Sequence, residues 1–213
     1  MVDIGANLGS YTHTFARNGV ETYSFEPNTE TFGLLCSAVH LSEVVFPDSY
    51  GRVHLHNNGV TGRTGDWLKV SVDDVANRGD TSVSVSGDHS DSNSVLSVAI
   101  DDVIGDIDGN RVGMIKIDTQ GFEPLVFEGA WKTIQKHRPM LAFEWWVDWM
   151  EDRTNMKPAD ILVKLKTFGY KRYNLVSHET QEINPEAESM RGIRDELYVA
   201  VPESAFPSKA NHT

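Results

Sequence analysis

The sequence predicts a single α/β domain in which a mostly parallel sheet is covered by helices on both faces. Strand-like and helix-like segments alternate over residues 1–41 and again beyond residue 100, which is typical of parallel sheets. The 213 residues are enough to bury one sizeable core, and apolar runs such as Leu141–Trp146 are typical of buried strands. We expect the domain to extend over residues 1–201 and to be followed by a polar tail at 202–213.

The first fifty residues contain two strand–helix units. Apolar residues recur at helical spacing in the second unit, and a Pro-Asn step ends the strand before it. The sequence predicts a strand at Met1–Ile4, a tight loop at Gly5–Gly9, a helix at Ser10–Asn18, a strand at Val20–Phe25 and a helix at Thr29–Leu41.

Residues 52–100 have a different pattern, because short alternating segments are separated there by Gly, Asp, Asn and Ser. The sequence predicts the third strand of the sheet at Val53–His56, followed by an antiparallel, β-rich excursion over about residues 60–100. The strands expected in this excursion are Trp67–Val72, Thr81–Val85 and Ser94–Ile100, and Ser86–Asn93 is expected to be a polar loop.

Regular alternation of strands and helices resumes after residue 100. The sequence predicts helices at Asp101–Ile107, Glu123–Lys136 and Pro158–Phe168, and strands at Val112–Asp118, Pro139–Trp146, Lys171–Leu175 and Glu196–Val201. The first two of these strands are rich in apolar residues, so we expect them to be buried in the sheet.

Composition and charge exclude several classes of protein. The formal net charge is −12 and no local basic patch is evident, so no nucleic-acid partner is expected. A single cysteine, Cys36, excludes an internal disulfide framework. No stretch reaches the roughly 18 apolar residues of a membrane span, and Asp3 and Gly5 interrupt any signal peptide.

The start of the chain allows two interpretations. Met1 leads directly into a predicted core strand, so the protein is either minimal or a fragment truncated at its N-terminus. In the second case a lid, an anchor or a targeting signal precedes it. The expected location is the cytoplasm, unless such an upstream segment directs the protein elsewhere.

The loop after the first strand has the composition of a ligand-binding turn. Gly5 and Gly9 let the backbone turn sharply and approach a ligand closely. The free amides at the following helix start suit an anionic or polar group, such as the carboxylate of an amino acid. Glu26 ends the second strand, where an acidic residue binds the two hydroxyls of a ribose. A cofactor that contains a nucleoside is therefore predicted, the alternative being a purely structural junction with Glu26 on the surface.

Two residues of this loop discriminate between cofactors. Dinucleotide-binding loops use Gly-x-Gly-x-x-Gly to contact a pyrophosphate, and Asn7 and Ser10 stand at the second and third glycine positions here. This departure disfavours NAD and suits S-adenosylmethionine, which has no phosphate. A phosphate-binding P-loop is excluded because no Gly-Lys-Ser/Thr follows.

Four segments together resemble the FkbM-type family of methyltransferases. They are residues 2–12 (VDIGANLGSYT), 24–28 (SFEPN), 115–123 (IKIDTQGFE) and 138–144 (RPMLAFE). The resemblance implies the Rossmann-like class I methyltransferase fold, with seven strands in the order 3-2-1-4-5-7-6 and the seventh antiparallel. It also implies S-adenosylmethionine as cofactor and methyl transfer, most often to an oxygen of a small molecule or sugar.

The same resemblance assigns cofactor contacts by motif position. Asp3, Gly5, Asn7 and Gly9 would surround the methionine part, and Glu26 would hold the ribose. The full predicted cofactor set is Asp3, Gly5, Ala6, Asn7, Gly9, Ser10, Tyr11, Glu26, Pro27 and Asn28. This chain departs from the family at Thr119-Gln120-Gly121, where Val-Glu-Gly is common, and in lacking the residues that usually precede the first strand.

A second group of charged residues lies near the ends of two predicted strands. Lys116 and Asp118 share one face of their strand, and Glu144 stands near the end of the next. We expect Asp118 or Glu144 to accept the proton of an acceptor hydroxyl and Lys116 to hold one of them in place. The alternative is a structural Lys–carboxylate pair. No His joins the carboxylates at ligand spacing, so no metal is predicted.

Three tryptophans follow Glu144, namely Trp145, Trp146 and Trp149. They form either a wall for a sugar or ring-shaped substrate or part of the core. The predicted partner is a small-molecule acceptor. Two other functions stay open, an NAD-dependent dehydrogenase and a methyltransferase-fold module that binds without turnover.

Overall fold

The computed structural model describes residues 1–72, 81–85, 93–104 and 111–205, which form an α/β fold around a large mixed sheet. The predicted polar loop at Ser86–Asn93 and the tail at 202–213 lie mostly outside these residues. The strands are β1 (Val2–Ile4), β2 (Thr22–Phe25), β3 (Val53–His56), β4 (Gly59–Val60), β5 (Trp67–Val72), β6 (Thr81–Val85), β7 (Ser94–Val98), β8 (Met114–Ile117), β9 (Met140–Trp146), β10 (Tyr170–Asn174), β11 (Glu179–Gln181) and β12 (Arg194–Pro202).

Eight helices connect these strands. They are α1 (Ser10–Ala16), α2 (Thr29–Val45), α3 (Ile100–Val103), α4 (Glu123–Glu128), α5 (Trp131–His137), α6 (Val147–Thr154), α7 (Pro158–Thr167) and α8 (Pro185–Glu188) within the described part of the chain. None of the described helices combines the length and the apolar character that crossing a membrane requires.

The main sheet has the strand order β11-β10-β12-β9-β8-β1-β2-β3. Strands β3, β2, β1, β8 and β9 are parallel, and β12 is antiparallel to both of its neighbours. Among the described residues this sheet has eight strands rather than the predicted seven, because the additional strand β11 (Glu179–Gln181) pairs with β10 at the edge. The carboxyl ends of β1, β2, β8 and β9 meet along one edge, where open α/β sheets bind ligands.

A smaller sheet, ordered β4-β7-β5-β6, forms the predicted excursion. Its strands β5, β6 and β7 are antiparallel, as expected, whereas β4 and β7 pair in parallel. Leu68, Val70 and Val95 form a small core of their own between these strands. The excursion therefore has a small core of its own, while Val60 of β4 belongs to the main core.

The prediction of one helix over Glu123–Lys136 was wrong, because α4 ends at Glu128, just before Gly129, and α5 begins at Trp131. A Cβ at Gly129 would lie 2.1 Å from the Thr61 carbonyl oxygen, so the chain there touches the β4 segment. The Asp101 carboxylate accepts hydrogen bonds from the amides of Lys132 and Thr133 and thereby caps α5. The helix predicted at Asp101–Ile107 is shorter, Ile100–Val103, and residues 105–107 lie outside the described ones.

The main core lies against the central strands. Buried side chains of β8 and β9 alternate between the two faces of the sheet, which is why both strands read as apolar runs in the sequence. The largest fully buried side chains include Phe25, Phe143, Trp145, Tyr170 and Tyr198. This rigid centre fixes the strand ends that carry the candidate site.

Candidate active site

The loop from β1 to α1 is anchored by the buried carboxylate of Asp3. Asp3 Oδ2 accepts hydrogen bonds from the Thr12 amide at 3.0 Å and the Thr12 hydroxyl at 2.7 Å. The Thr12 hydroxyl also lies 2.8 Å from Ser24 Oγ on β2. Asp3 thus ties the first turn of α1 to two strands. Its side chain faces this network and does not line the cavity described below.

Gly5 brings the loop against the end of β8. Its φ is +72°, and an added Cβ would lie 1.9 Å from the Asp118 carbonyl oxygen, so only glycine fits here. Asn7 also has a left-handed φ of 51°, a conformation that asparagine tolerates better than most residues. The backbone of the loop therefore packs directly against the backbone of the segment that follows β8.

Glu26 lies at the carboxyl end of β2 and is 5% exposed. Its Oε2 accepts the Asn7 amide at 2.9 Å, and its Oε1 accepts the Asn28 amide at 2.9 Å. Burial raises the pKa of Glu26 above its ordinary value, while these two hydrogen bonds oppose the shift. Each oxygen keeps a lone pair for a ligand hydroxyl.

A cavity of about 190 Å³, here called the first cavity, opens beside Glu26 at the carboxyl edge of the sheet. Its lining residues are Ile4, Gly5, Asn7, Phe25, Glu26, Pro27, Asn58, Gly59, Val60, Val83, Asp118, Thr119, Gln120 and Phe122. Four residues of the predicted cofactor set are among them, namely Gly5, Asn7, Glu26 and Pro27.

The other members of the predicted cofactor set lie elsewhere. Ala6 is buried, Gly9 is the N-cap that precedes α1, and Ser10 is exposed. Asn28 caps α2 by accepting the Thr31 amide, and Tyr11 lines a different cavity. Sequence reasoning missed Asn58, Gly59 and Val60. Their position just after a predicted parallel strand is the signal that would have found them.

Lys116 is largely buried beneath the loop, and its amino group is surrounded by protein oxygens. Its Nζ donates to the Gly5 carbonyl at 2.6 Å and lies 3.4 Å from the Ile4 carbonyl. The same Nζ lies 3.4 Å from Asp3 Oδ1 and 3.6 Å from Asp118 Oδ2. Lys116 therefore joins the loop, the buried Asp3 and the end of its own strand.

Asp118 and Glu144 are brought together, as the strand ends predicted. The Gln120 amide nitrogen lies 2.9 Å from Asp118 Oδ1 and 3.3 Å from Glu144 Oε2 and donates to both. Gln120 has a left-handed φ of 55°, and its side chain bridges the two carboxylates. The side chain of Asp118 is 46% exposed, so solvent and ligands reach it.

A second cavity, of about 230 Å³, lies on the other side of this bridge. It is lined by Tyr11, Lys116, Ile117, Asp118, Gln120, Ala142, Phe143, Glu144, Arg194 and Leu197. Asp118 and Gln120 line both cavities. Two ligands bound in these cavities would therefore meet at those two side chains.

A third cavity, of about 680 Å³, lies between the smaller sheet and helices α4 and α6. It shares Val83 and Phe122 with the first cavity. The first cavity is thus bordered by larger spaces on two sides.

The three tryptophans do not form a wall of the first or second cavity. Trp145 is fully buried in the core and donates to the Glu188 carbonyl. Trp146 and Trp149 stack with ring centroids 3.9 Å apart, and the Arg194 guanidinium lies 4.0 Å above the Trp146 ring. In this arrangement the three rings pack against other side chains, in agreement with the second of the two predicted roles.

Glu123 is a buried carboxyl at the end of segment 115–123, and the sequence did not predict a role for it. Its Oε1 accepts the Thr119 amide at 2.8 Å and the Thr119 hydroxyl at 3.0 Å. Burial raises the pKa of Glu123 to about 7, and the charge of Glu144 adds to the shift while the hydrogen bonds oppose it. Within the described ranges no group of three or more His, Cys, Asp or Glu side chains is arranged to hold a metal ion.

Comparison with known families decides the class of this protein. Residues 3–172 match the family described as the Methyltransferase FkbM domain. The chain belongs to the FkbM methyltransferase family. This membership favours the methyltransferase interpretation of the sequence over the alternative of an NAD-dependent dehydrogenase.

Solved structures similar to this FkbM domain are distant in sequence. The FkbM methyltransferase of Methylobacillus flagellatus KT is 21% identical, with a TM-score of 0.46, over 68% of this chain and 32% of its own. This FkbM domain thus spans about a third of that protein's length. The magnesium protoporphyrin IX methyltransferase ChlM of Synechocystis PCC 6803, solved with bound SAM, is 12% identical, with a TM-score of 0.44, over 95% of this chain and 69% of its own. A search of curated proteins found no match.

Proposed function

We propose that this domain transfers a methyl group from S-adenosylmethionine to an oxygen of a small hydroxylated acceptor, such as a sugar or a polyketide-like molecule. The observation that carries the proposal is the meeting of the first and second cavities at Asp118 and Gln120. A donor in one cavity and an acceptor in the other would face each other there. Methyl transfer requires such an in-line encounter more than it requires any covalent help from the protein.

The charges around the first cavity suit this cofactor. S-adenosylmethionine supplies a methyl group on a positively charged sulfonium. Glu26 and Asp118 provide carboxylates, and none of the described lining residues is Lys, Arg or His. A pyrophosphate would meet two negative charges in the same place, and a sulfonium would be attracted by them.

The residues of the first cavity divide between the parts of the cofactor. Glu26 would accept hydrogen bonds from the ribose hydroxyls, because each of its oxygens keeps a lone pair beside one amide bond. Pro27 and the segment Asn58–Val60 would contact the base, and Gly5 and Asn7 would contact the methionine part. Asp3 would act indirectly, by fixing the loop through Thr12.

The second cavity would hold the acceptor hydroxyl near Asp118 and Glu144. One of these carboxylates would accept its proton as the methyl group is transferred. Gln120 holds both side chains in place, and Lys116 holds Asp118 from the opposite side. Lys116 also lines this cavity, but its Nζ already contacts the Gly5 carbonyl and Asp118, so we assign it a positioning role.

Calorimetric titration with S-adenosylmethionine, S-adenosylhomocysteine and NAD tests the cofactor. We expect binding of the first two and none of NAD; the reverse pattern would remove the proposal. A panel of sugars and hydroxylated small molecules, assayed for S-adenosylhomocysteine release, then tests the acceptor class. Release with amine acceptors alone would overturn the assignment to oxygen.

A second candidate function is a module that binds the cofactor without turnover. The observation that favours it is Gln120, a neutral amide that bridges both carboxylates at a position where the family resemblance expects an acid. Cofactor binding with no product from any acceptor would support this candidate over the first.

A further inference from the structure

Glu123 is an unusual residue for the interior of this protein. It is 1% exposed, and its Oε2 has no hydrogen-bond partner among the described residues. No ion pair to Glu123 is present in the described part of the chain. A buried carboxyl without a cation is costly to the folded state, and such groups are concentrated at functional sites. Its contacts therefore require an explanation beyond packing.

The contacts of Glu123 lead to the wall between the first two cavities. Both of its hydrogen bonds go to Thr119, which lines the first cavity. The next residue along the chain is Gln120, which lines both cavities and bridges Asp118 and Glu144. Glu123 thus binds the segment Thr119–Gln120 from the interior of the protein. The other side of this segment lines the candidate site.

This segment needs such an anchor because its backbone is strained. Gln120 and Gly121 have consecutive left-handed φ values of 55° and 93°. A Cβ at Gly121 would lie 3.1 Å from Trp149 Cβ and 2.9 Å from Arg153 Cδ, so α6 presses against it from one side. Strained backbone of this kind persists only where its surroundings over-determine it.

We propose that Glu123 is a positioning residue for methyl transfer, which holds Thr119 and Gln120 at the junction of the two cavities and thereby sets the affinity for the cofactor. It does not line the first or second cavity and acts through Thr119. The proposal rests on the proposed function, since the cofactor is its readout.

The test compares Glu123→Gln and Glu123→Ala by calorimetric titration with S-adenosylhomocysteine. The amide oxygen of Gln still accepts both Thr119 bonds, so Glu123→Gln should bind within about twofold of the wild type. Glu123→Ala frees Thr119 and should bind roughly tenfold more weakly, or about 1.4 kcal/mol. Glu128→Ala, on the same helix and exposed, serves as the matched control and should not change the affinity.

Thermal melts show whether each variant is folded under the conditions of the titration. A Glu123→Ala protein that melts earlier but binds S-adenosylhomocysteine like the wild type overturns the proposal and leaves Glu123 purely structural. If Glu123→Ala does not fold, Thr119→Val removes one of the two bonds from the other side. It should weaken binding about threefold, and unchanged affinity would again overturn the proposal. A wild-type protein that binds no S-adenosylhomocysteine would instead refute the proposed function.

Discussion

Asp118, just after β8, and Glu144, near the end of the neighbouring strand β9, are joined through the side chain of Gln120. The Gln120 amide nitrogen donates to both carboxylates and so links the ends of the two side chains. On its other side Asp118 is held by Lys116. This arrangement makes Gln120 as important to the candidate site as the two acids it connects.

Replacing Gln120 with Glu is expected to disturb proton transfer. The substitution removes the shared donor and adds a third negative charge, which should raise the pKa of the carboxylate that acts as base. We expect the acidic limb of the pH–rate profile to move upward by about one unit or more, measured by S-adenosylhomocysteine release. Gln181→Glu on the exposed strand β11 is the control, and an equal shift there would contradict this reading.

Glu26→Ala is expected to weaken S-adenosylhomocysteine binding by roughly ten- to a hundredfold, which corresponds to about 1.5–3 kcal/mol for charge-assisted hydrogen bonds. Isothermal titration measures the change, and circular dichroism checks the fold. The exposed Glu43→Ala on α2 provides the control. Unchanged affinity in a folded Glu26→Ala protein would remove Glu26 from the site.

Asp118→Asn separates chemistry from stability. Asn keeps the volume and the bond from Gln120, while Lys116 keeps Asp3 and two carbonyls as partners. Because Asp118 is nearly half exposed, the loss of unfolding free energy should stay below about 1 kcal/mol. Turnover should fall by roughly 10²-fold, with little change in cofactor affinity. Strong destabilisation with normal turnover per folded molecule would make Asp118 structural instead.

Lys116→Met should have the opposite profile, with its main effect on stability. Asp3 is fully buried, and removing Lys116 leaves its Oδ1 without the nearby positive charge. Breaking a buried pair in this way costs about 3–5 kcal/mol. Chemical denaturation measures the free energy of unfolding of Lys116→Met and of the control Lys132→Met, at an exposed position. Equal values for the two variants would show that Lys116 does not stabilise the fold.

The stability of the protein should depend on Glu123 in a defined pH window. Its pKa is raised by burial to about 7 in the folded state, against 4.5 for its ordinary value. The folded protein therefore holds this proton more tightly than the unfolded chain, and the group destabilises the fold increasingly as the pH rises from 4.5 to 7. Glu123→Gln removes this dependence. Its melting temperature relative to the wild type should be higher at pH 8 than at pH 4.5, and a constant difference would refute the assigned pKa.

Much of the fold could be predicted because local patterns encode it. The strands at Val53–His56, Trp67–Val72 and Thr81–Val85 have the predicted bounds, since period-two alternation and flanking turn residues mark them. The break between α4 and α5 was missed because the partners that cause it, Thr61 and Asp101, are distant in sequence. The helix Val147–Thr154 was also missed, because its residues, with one tryptophan among four charged side chains, show no clear apolar stripe.

The sequence by itself determined the two strand-end groups, with Glu26 and Asp118 at the ends of two strands and Glu144 near the end of a third. Parallel strands bring their carboxyl ends to one edge, so this much follows from element order alone. Only the tertiary structure decided what Lys116, Gln120 and Glu123 do. Lys116 was expected to hold Asp118 or Glu144 in place, and it does lie 3.6 Å from Asp118, but its shortest bond is to the Gly5 carbonyl, 111 residues away. The reason is physical: a buried charge takes whichever partners the packed fold places around it, and those partners come from distant parts of the chain.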